Sequence, residues 1–121
     1  FGLLKSTDAE KEARKAAIYK ATVHAIKIPL MVMETAIEGF GLIEAMIETG
    51  NPNSVSDAGV GAIALRSCIH GAHLNVMINM AGMEISGEIQ EMREKADNLA
   101  AKASILEGTL VKRVKERIEG I

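Results

Sequence analysis

The sequence contains three histidines and one cysteine, which are residue types that commonly ligate a metal ion. His70 and His73 are three residues apart and therefore share one face of a helix. A zinc site needs at least one more ligand, and the sequence has neither a His-Glu-x-x-His motif nor a second cysteine. His24 and Cys68 are the remaining candidate ligands of these two residue types. We therefore expect no metal, with His70 and His73 at a helix packing edge or facing solvent.

Cys68 is also the candidate nucleophile. No base accompanies it in the sequence, and its neighbours are small, so we expect a small buried apolar side chain instead of a reactive thiolate. The sequence contains no Gly-x-Ser-x-Gly elbow and no phosphate-binding loop.

A polar stripe is formed by Gly71, Asn75 and Asn79, which follow one another at intervals of four residues. Carboxamides inside an apolar helix bundle are costly unless they are paired. One interpretation is a buried amide pair that fixes the helix register. The other is the polar wall of a ligand site, given room by the neighbouring glycines. Both interpretations stay open.

Ser56 and Asp57 lie at the predicted start of the same helix, where Ser54 or Ser56 is the expected cap. A carboxylate at the mouth of a helix bundle can act as an acid, a base or a ligand contact. The helix dipole and the free N–H groups favour the charged carboxylate. We therefore assign Asp57 to capping or substrate orientation, not to proton transfer.

Long helices must position these residues. Thr7 begins a Thr-x-x-Glu capping box, and apolar residues then recur at helical spacing as far as a stop at Gly50. Pro29 lies inside this helix and should kink or divide it near Lys27 and Ile28.

A second helix should run to about Met80, and its glycines leave space for a neighbouring helix or a ligand. After a break at residues 83–87, a third helix on the order of 50 Å long carries a heptad of apolar residues: Ile85, Ile89, Met92, Ala96, Leu99, Ala103, Leu106 and Leu110. Long heptads pack along a neighbour or across a dimer seam. We predict an all-α, up-and-down bundle of three long helices that forms a homodimer or higher oligomer.

Composition excludes several classes of protein. The 121 residues suit one helical domain over 1–121. With 2% aromatic residues and a net charge of −2, the sequence lacks both the stacking platforms and the basic excess of nucleic-acid binders. The longest uncharged run, residues 67–83, is too short and too polar to span a membrane. A single cysteine favours the reducing cytoplasm.

Two motifs carry a family resemblance. The segment GNPNSVSD at residues 50–57, followed by GAHLNVMIN at residues 71–79, closely resembles the formiminotetrahydrofolate cyclodeaminase and methenyltetrahydrofolate cyclohydrolase family. The pattern of that family reads Gly-Asn, then Ser-Asp, then Gly-Ala-x-x-Asn-Val-x-Ile-Asn. Its members are also similar in the Ile-Pro-Leu segment at residues 28–30 and in the Leu-x-Lys-x-Thr start at residues 3–7.

The resemblance implies an all-helical homodimer that acts on a one-carbon group carried by a tetrahydrofolate derivative, without a metal. A cyclodeaminase closes the formimino group onto the second folate nitrogen and releases ammonia, as in histidine degradation. A cyclohydrolase adds water to the methenyl bridge. On this interpretation the substrate-binding residues are Ser56, Asp57, Asn75 and Asn79.

The sequence departs from the family in one respect. Members carry a Pro-Gly-Gly-Gly-Ser stretch and an acidic segment with a catalytic aspartate, both of which would lie before Phe1. The catalytic residues are therefore left unassigned, and we expect this chain to be the C-terminal part of such a domain. The alternative is a non-catalytic helical oligomerisation module derived from the same family.

Overall fold

The computed structural model describes residues 7–120. These residues form three long α-helices and no strand; the helices are α1 (Asp8–Thr49), α2 (Val55–Met80) and α3 (Gly87–Ile118), with a short 3-10 turn at Pro52–Ser54. The prediction of an all-α fold is confirmed. The Leu-x-Lys part of the predicted start, at residues 3–6, lies outside the described residues. Among residues 7–120, none of the helices contains an apolar stretch of the length that a membrane span requires.

Helix α1 begins and ends at the predicted residues. The Thr7 side-chain oxygen accepts a hydrogen bond of 3.1 Å from the backbone N–H of Glu10, which satisfies one of the free donors at the helix start. At the other end, the Gly50 N–H donates to the Met46 carbonyl at 2.9 Å. The helix runs through Pro29 without a break, so the predicted division does not occur. Pro29 is buried, and it lacks the N–H that would otherwise donate to the preceding turn. The kink stays a prediction.

Helix α2 starts at one of the two predicted cap positions, without the expected capping hydrogen bond. Ser54 occupies the cap position, but its side chain makes no capping hydrogen bond, and Ser56 lies inside the first turn. The preceding 3-10 turn leads the chain into the helix, with the Asn51 side-chain oxygen accepting from the Asn53 N–H at 2.9 Å. Asp57 lies in the first turn, as predicted.

The core is a single cluster to which all three helices contribute. Its largest fully buried side chains are Ile26, Met33, Ile47, Ile69, Val76 and Ile89. The predicted heptad of α3 faces this core from Ile89 to Leu110. The apolar spacing continues to Val114, which is also buried, whereas Ile118, one turn further on, is 59% exposed. The apolar face of α3 that packs against the core therefore ends at Val114.

The first turns of α1 extend past the core. Every residue from 8 to 21 is exposed. A hydrogen bond joins this segment to the start of α3: the Tyr19 hydroxyl donates to Oε1 of Glu88 at 3.1 Å. Desolvation raises the pKa of Tyr19, and the hydrogen bond to Glu88 and the charge of that carboxylate raise it further.

Candidate functional site

An open groove lies between α1 and α2, and we call it the α1–α2 groove. One part of it has a volume of about 540 Å³ and is lined by Ala25, Ile28, Pro29, Val32, Cys68, Gly71, Ala72, Asn75 and Asn79. An adjoining part of about 520 Å³ shares Ile28, Val32 and Cys68 and adds Met31, Thr35 and Ala36. These volumes lie in the range of small-molecule sites.

The two asparagines lie in the wall of this groove. Asn75 is exposed and Asn79 is half-buried, and Nδ2 of Asn79 donates to the backbone carbonyl of Asn75 at 2.9 Å. Their side chains are not bonded to each other and neither is fully buried, so of the two interpretations the buried amide pair is wrong. The reason is the position of the core face of α2. Ala72 and Val76 lie on it, and Asn75 is rotated from Val76 by about 100°.

The glycines of α2 serve two different purposes. A methyl group added to Gly61 would lie 2.7 Å from Cδ1 of Ile43 on α1, so Gly61 allows the two helices to approach closely. A methyl group added to Gly71 would meet nothing within 4 Å. Gly71 therefore gives room to the groove and not to a neighbouring helix.

Cys68 is exposed, so the prediction of a small buried residue is wrong. Its side chain lies in the α1–α2 groove beside the apolar residues Ile28 and Val32. The next residue, Ile69, is the one that is fully buried. The small neighbours of Cys68 fit either face of α2, so they do not indicate which face packs against the core.

Ser56 and Asp57 are exposed at the opposite end of α2 from the asparagines. Asp57 precedes Asn75 by 18 residues, which corresponds to five helical turns and about 27 Å. The two residues therefore share a face of α2 but lie far apart. One copy of the chain does not bring the two predicted pairs of site residues together.

Both predicted histidines lie at a packing edge, as expected. His70 Nε2 is 2.9 Å from Oγ of Ser104, and His73 Nε2 is 2.8 Å from Oδ1 of Asp97, so both rings join α2 to α3. His24 is exposed on α1. Across residues 7–120, no three His, Cys, Asp or Glu side chains are grouped as a metal site would require.

Sequence analysis missed Asp97 and Ser104. Each of them directly follows a small buried heptad residue, Ala96 or Ala103. Positions that flank an apolar seam are where charged and polar side chains meet the neighbouring helix. That spacing is the signal that could have identified them as partners of the histidines.

The chemistry available in the α1–α2 groove is binding and orientation. Its wall offers two carboxamides, and the remaining surface is mostly apolar. Its lining, as far as residues 7–120 provide it, includes no carboxylate or imidazole that could transfer a proton.

Comparison with known proteins gives a consistent set of relatives. The family described as formiminotransferase-cyclodeaminase matches residues 1–98. A methenyltetrahydrofolate cyclohydrolase of Methylorubrum extorquens is 34% identical over 98% of this chain and 57% of its own length. Formimidoyltransferase-cyclodeaminases of Rattus norvegicus and Dictyostelium discoideum are 29% and 34% identical over 84% and 74% of this chain. These matches cover only 19% and 17% of the two relatives. The chain thus spans little more than half of the cyclohydrolase.

Proposed function

This chain belongs to the formiminotransferase-cyclodeaminase family, and from that premise we propose that its protein carries out one-carbon chemistry on tetrahydrofolate. The reaction is the cyclisation of formiminotetrahydrofolate with release of ammonia, or the hydrolysis of methenyltetrahydrofolate. The observation that carries the proposal is the family match over residues 1–98, which includes both sequence motifs. The 34% identity to a protein named methenyltetrahydrofolate cyclohydrolase supports the second reaction. The proposed location for either reaction is the cytoplasm.

The α1–α2 groove is the proposed folate site. A tetrahydrofolate derivative combines a flat ring with polar edges, and the groove combines the apolar side chains of Ile28 and Val32 with the amides of Asn75 and Asn79. In this role the amides hold the polar edge of the substrate. Both reactions pass through a tetrahedral carbon, and hydrogen bonds to the oxygen or nitrogen that this carbon carries stabilise it.

Proton transfer at nitrogen is assigned to a group outside the groove lining. We propose that this chain is the C-terminal part of a cyclodeaminase or cyclohydrolase domain. It aligns with 57% of the length of the cyclohydrolase relative, which supports its being one part of such a domain. Under this proposal the chain supplies binding, and the acid or base comes from the rest of the domain.

A homodimer or higher oligomer is part of the proposal. The groove face continues along α1 as exposed apolar residues, among which Leu42 is 72% and Met46 is 46% exposed. Val60 on α2 is 65% exposed. Burying such side chains contributes about 25 cal/mol per Å² of apolar surface, and a second copy is the proposed partner.

The four predicted substrate-binding residues fit this arrangement if two copies share a site. Asp57 and Asn75 are about 27 Å apart on one face of α2. A two-fold axis at the level of Arg66, midway between them, would place Ser56 and Asp57 of one copy beside the asparagines of the other. We therefore propose that Ser56 and Asp57 orient substrate bound mainly by the second copy.

The test of the proposal is a binding and turnover experiment. The chain should show a higher melting temperature with a tetrahydrofolate analogue, and the protein that contains it should turn over either the formimino or the methenyl substrate. The alternative, a non-catalytic oligomerisation module of the same family, predicts assembly in a sedimentation experiment with no folate-induced shift in melting temperature and no turnover. That second pattern would refute the enzymatic proposal.

A further inference from the structure

A separate cavity lies at the end of α2, where the chain turns into α3. Its volume is about 320 Å³, and the connection contributes Ala81, Gly82, Met83 and Ile85 to its wall. His73 faces this cavity, whereas Asn75 lies in the α1–α2 groove. The two residues are 200° apart around α2, so the cavity and the groove lie on different sides of the helix.

The polar end of this cavity consists of His73, Arg93 and Asp97. His73 Nε2 lies 2.8 Å from Oδ1 of Asp97, and Arg93 Nε lies 3.9 Å from Oδ2 of the same carboxylate. An ionised carboxylate only accepts hydrogen bonds, so the imidazole Nε2 carries the hydrogen. Both oxygens of Asp97 thus already face a donor within the cluster.

Arg93 is the group of this cluster that can bind a ligand. Its distance of 3.9 Å to Asp97 is longer than a hydrogen bond, and its side chain is 55% exposed. Most of the five guanidinium donors therefore stay available. The planar guanidinium matches the two oxygens of a carboxylate, which it binds with two parallel hydrogen bonds.

The rest of the cavity is apolar and rich in methionine. Val76, Met77, Met80, Met83 and Ile85 line it. Methionine side chains adapt to irregular shapes, and their sulphur atoms make favourable contacts with aromatic rings. A ligand that satisfies both ends of the cavity therefore carries a carboxylate on a flat, apolar body.

We propose that the cavity at the α2–α3 corner is a binding site for a small aromatic carboxylate. Arg93 binds the carboxylate, the His73–Asp97 pair holds the polar end of the site in place, and the three methionines pack against the ring. The site is independent of the proposed folate site because it uses a different side of α2.

The test is a titration of the full chain with 2-naphthoate, followed by NMR of methionine methyl groups. We expect saturable shifts in the methyl signals of Met77, Met80 and Met83, with none at Met31 in the α1–α2 groove. The uncharged isostere 2-naphthamide should bind at least about tenfold more weakly, because it loses the charged pair with Arg93.

Two variants complete the experiment. Arg93→Gln removes the charge from an exposed side chain and should weaken 2-naphthoate binding by about tenfold or more. Arg117→Gln makes the same change near the exposed end of α3, outside the cavity, and should leave binding unchanged. Shifts that do not saturate, shifts concentrated at Met31, or equal affinity in Arg93→Gln and the unmodified chain would each overturn the proposal.

Discussion

Asp57 and Asn75 lie on the same face of α2 and are separated by five helical turns, or about 27 Å. A single copy of the chain therefore cannot place both residues at one reacting carbon. Their common face is the one that also presents Cys68 and Asn79 to the α1–α2 groove. Within one copy, the motif at residues 50–57 and the motif at residues 71–79 therefore have separate roles.

Asp57→Asn should cause a modest loss of activity in the enzyme that contains this chain. Asp57 is exposed in the first turn of α2, so the neutral isostere keeps the local geometry and folding should be normal. The measurement is kcat and KM across the pH range, together with the circular dichroism spectrum. A loss of several orders of magnitude, with one limb of the pH–rate profile missing, would instead identify Asp57 as the acid or base.

Asn79→Ala should abolish the folate-induced rise in melting temperature and change stability little. Its side-chain hydrogen bond is exposed and local, reaching back one turn to the Asn75 carbonyl, so its loss costs about 1 kcal/mol or less. Thermal melts with and without a folate analogue measure both effects. Asn98→Ala, at an exposed position of α3, is the matched control and should keep the ligand-induced shift. An unchanged shift in Asn79→Ala would remove Asn79 from the site.

Gly71→Ala should stabilise the fold and weaken folate binding. An added methyl group at Gly71 meets nothing within 4 Å, so alanine gains about 0.5–1 kcal/mol of helix stability. The same methyl group enters the α1–α2 groove and takes space from the ligand. Gly108→Ala is equally unobstructed on α3 and should be stabilising without any effect on binding. Chemical denaturation and ligand titration of both variants separate the two effects; equal binding by both would contradict the groove assignment.

Local chemistry was sufficient to predict most of the fold. The Thr7 cap, the stop at Gly50, the break before α3 and its heptad all depend on residues close in sequence. The orientation of α2 was harder to predict, because this helix is apolar nearly all the way round. Leu74 and Ile78, for example, are 64% and 69% exposed. Only the packing of α1 and α3 decides which face of α2 is buried. For this reason Cys68 was placed on the wrong side, and the sequence could not decide between the two interpretations of the asparagines.

The Tyr19 phenol should titrate at lower pH in Glu88→Gln than in the unmodified chain. Desolvation raises the pKa of Tyr19 above its ordinary value, and the hydrogen bond and charge of Glu88 raise it further, so the variant loses part of the shift. Because the folded state favours the neutral phenol, this contribution to stability is present below the pKa of the unfolded chain. It is lost as pH rises through the folded pKa.

The measurement is the ultraviolet absorbance of the phenolate during an alkaline titration. Tyr19 is the single tyrosine of the sequence, so the signal reports one group. Glu84→Gln, in the exposed connection before α3, is the control and should leave the titration unchanged. An identical titration in Glu88→Gln and the unmodified chain would show that the Tyr19–Glu88 bond does not form in solution.

Cys68 should be cross-linked to Cys68 of a second copy by a short bismaleimide. The proposed two-fold axis passes α2 at the level of Arg66, two residues from Cys68, and the Cys68 thiol is exposed on the groove face. The two thiols would then lie within reach of a short linker, and denaturing electrophoresis should show a covalent dimer. Cys68→Ser should abolish the product.

A second variant tests which helix face forms the interface between the two copies. In the Cys68→Ser background, Asn98→Cys moves the thiol to an exposed position on α3, away from the residues that line the groove. Because α3 lies outside the proposed interface, this variant should give no covalent dimer while sedimentation still shows the assembled species. Efficient cross-linking through position 98 and none through Cys68 would place the interface on α3, and Ser56 and Asp57 could not then reach the asparagines of a second copy.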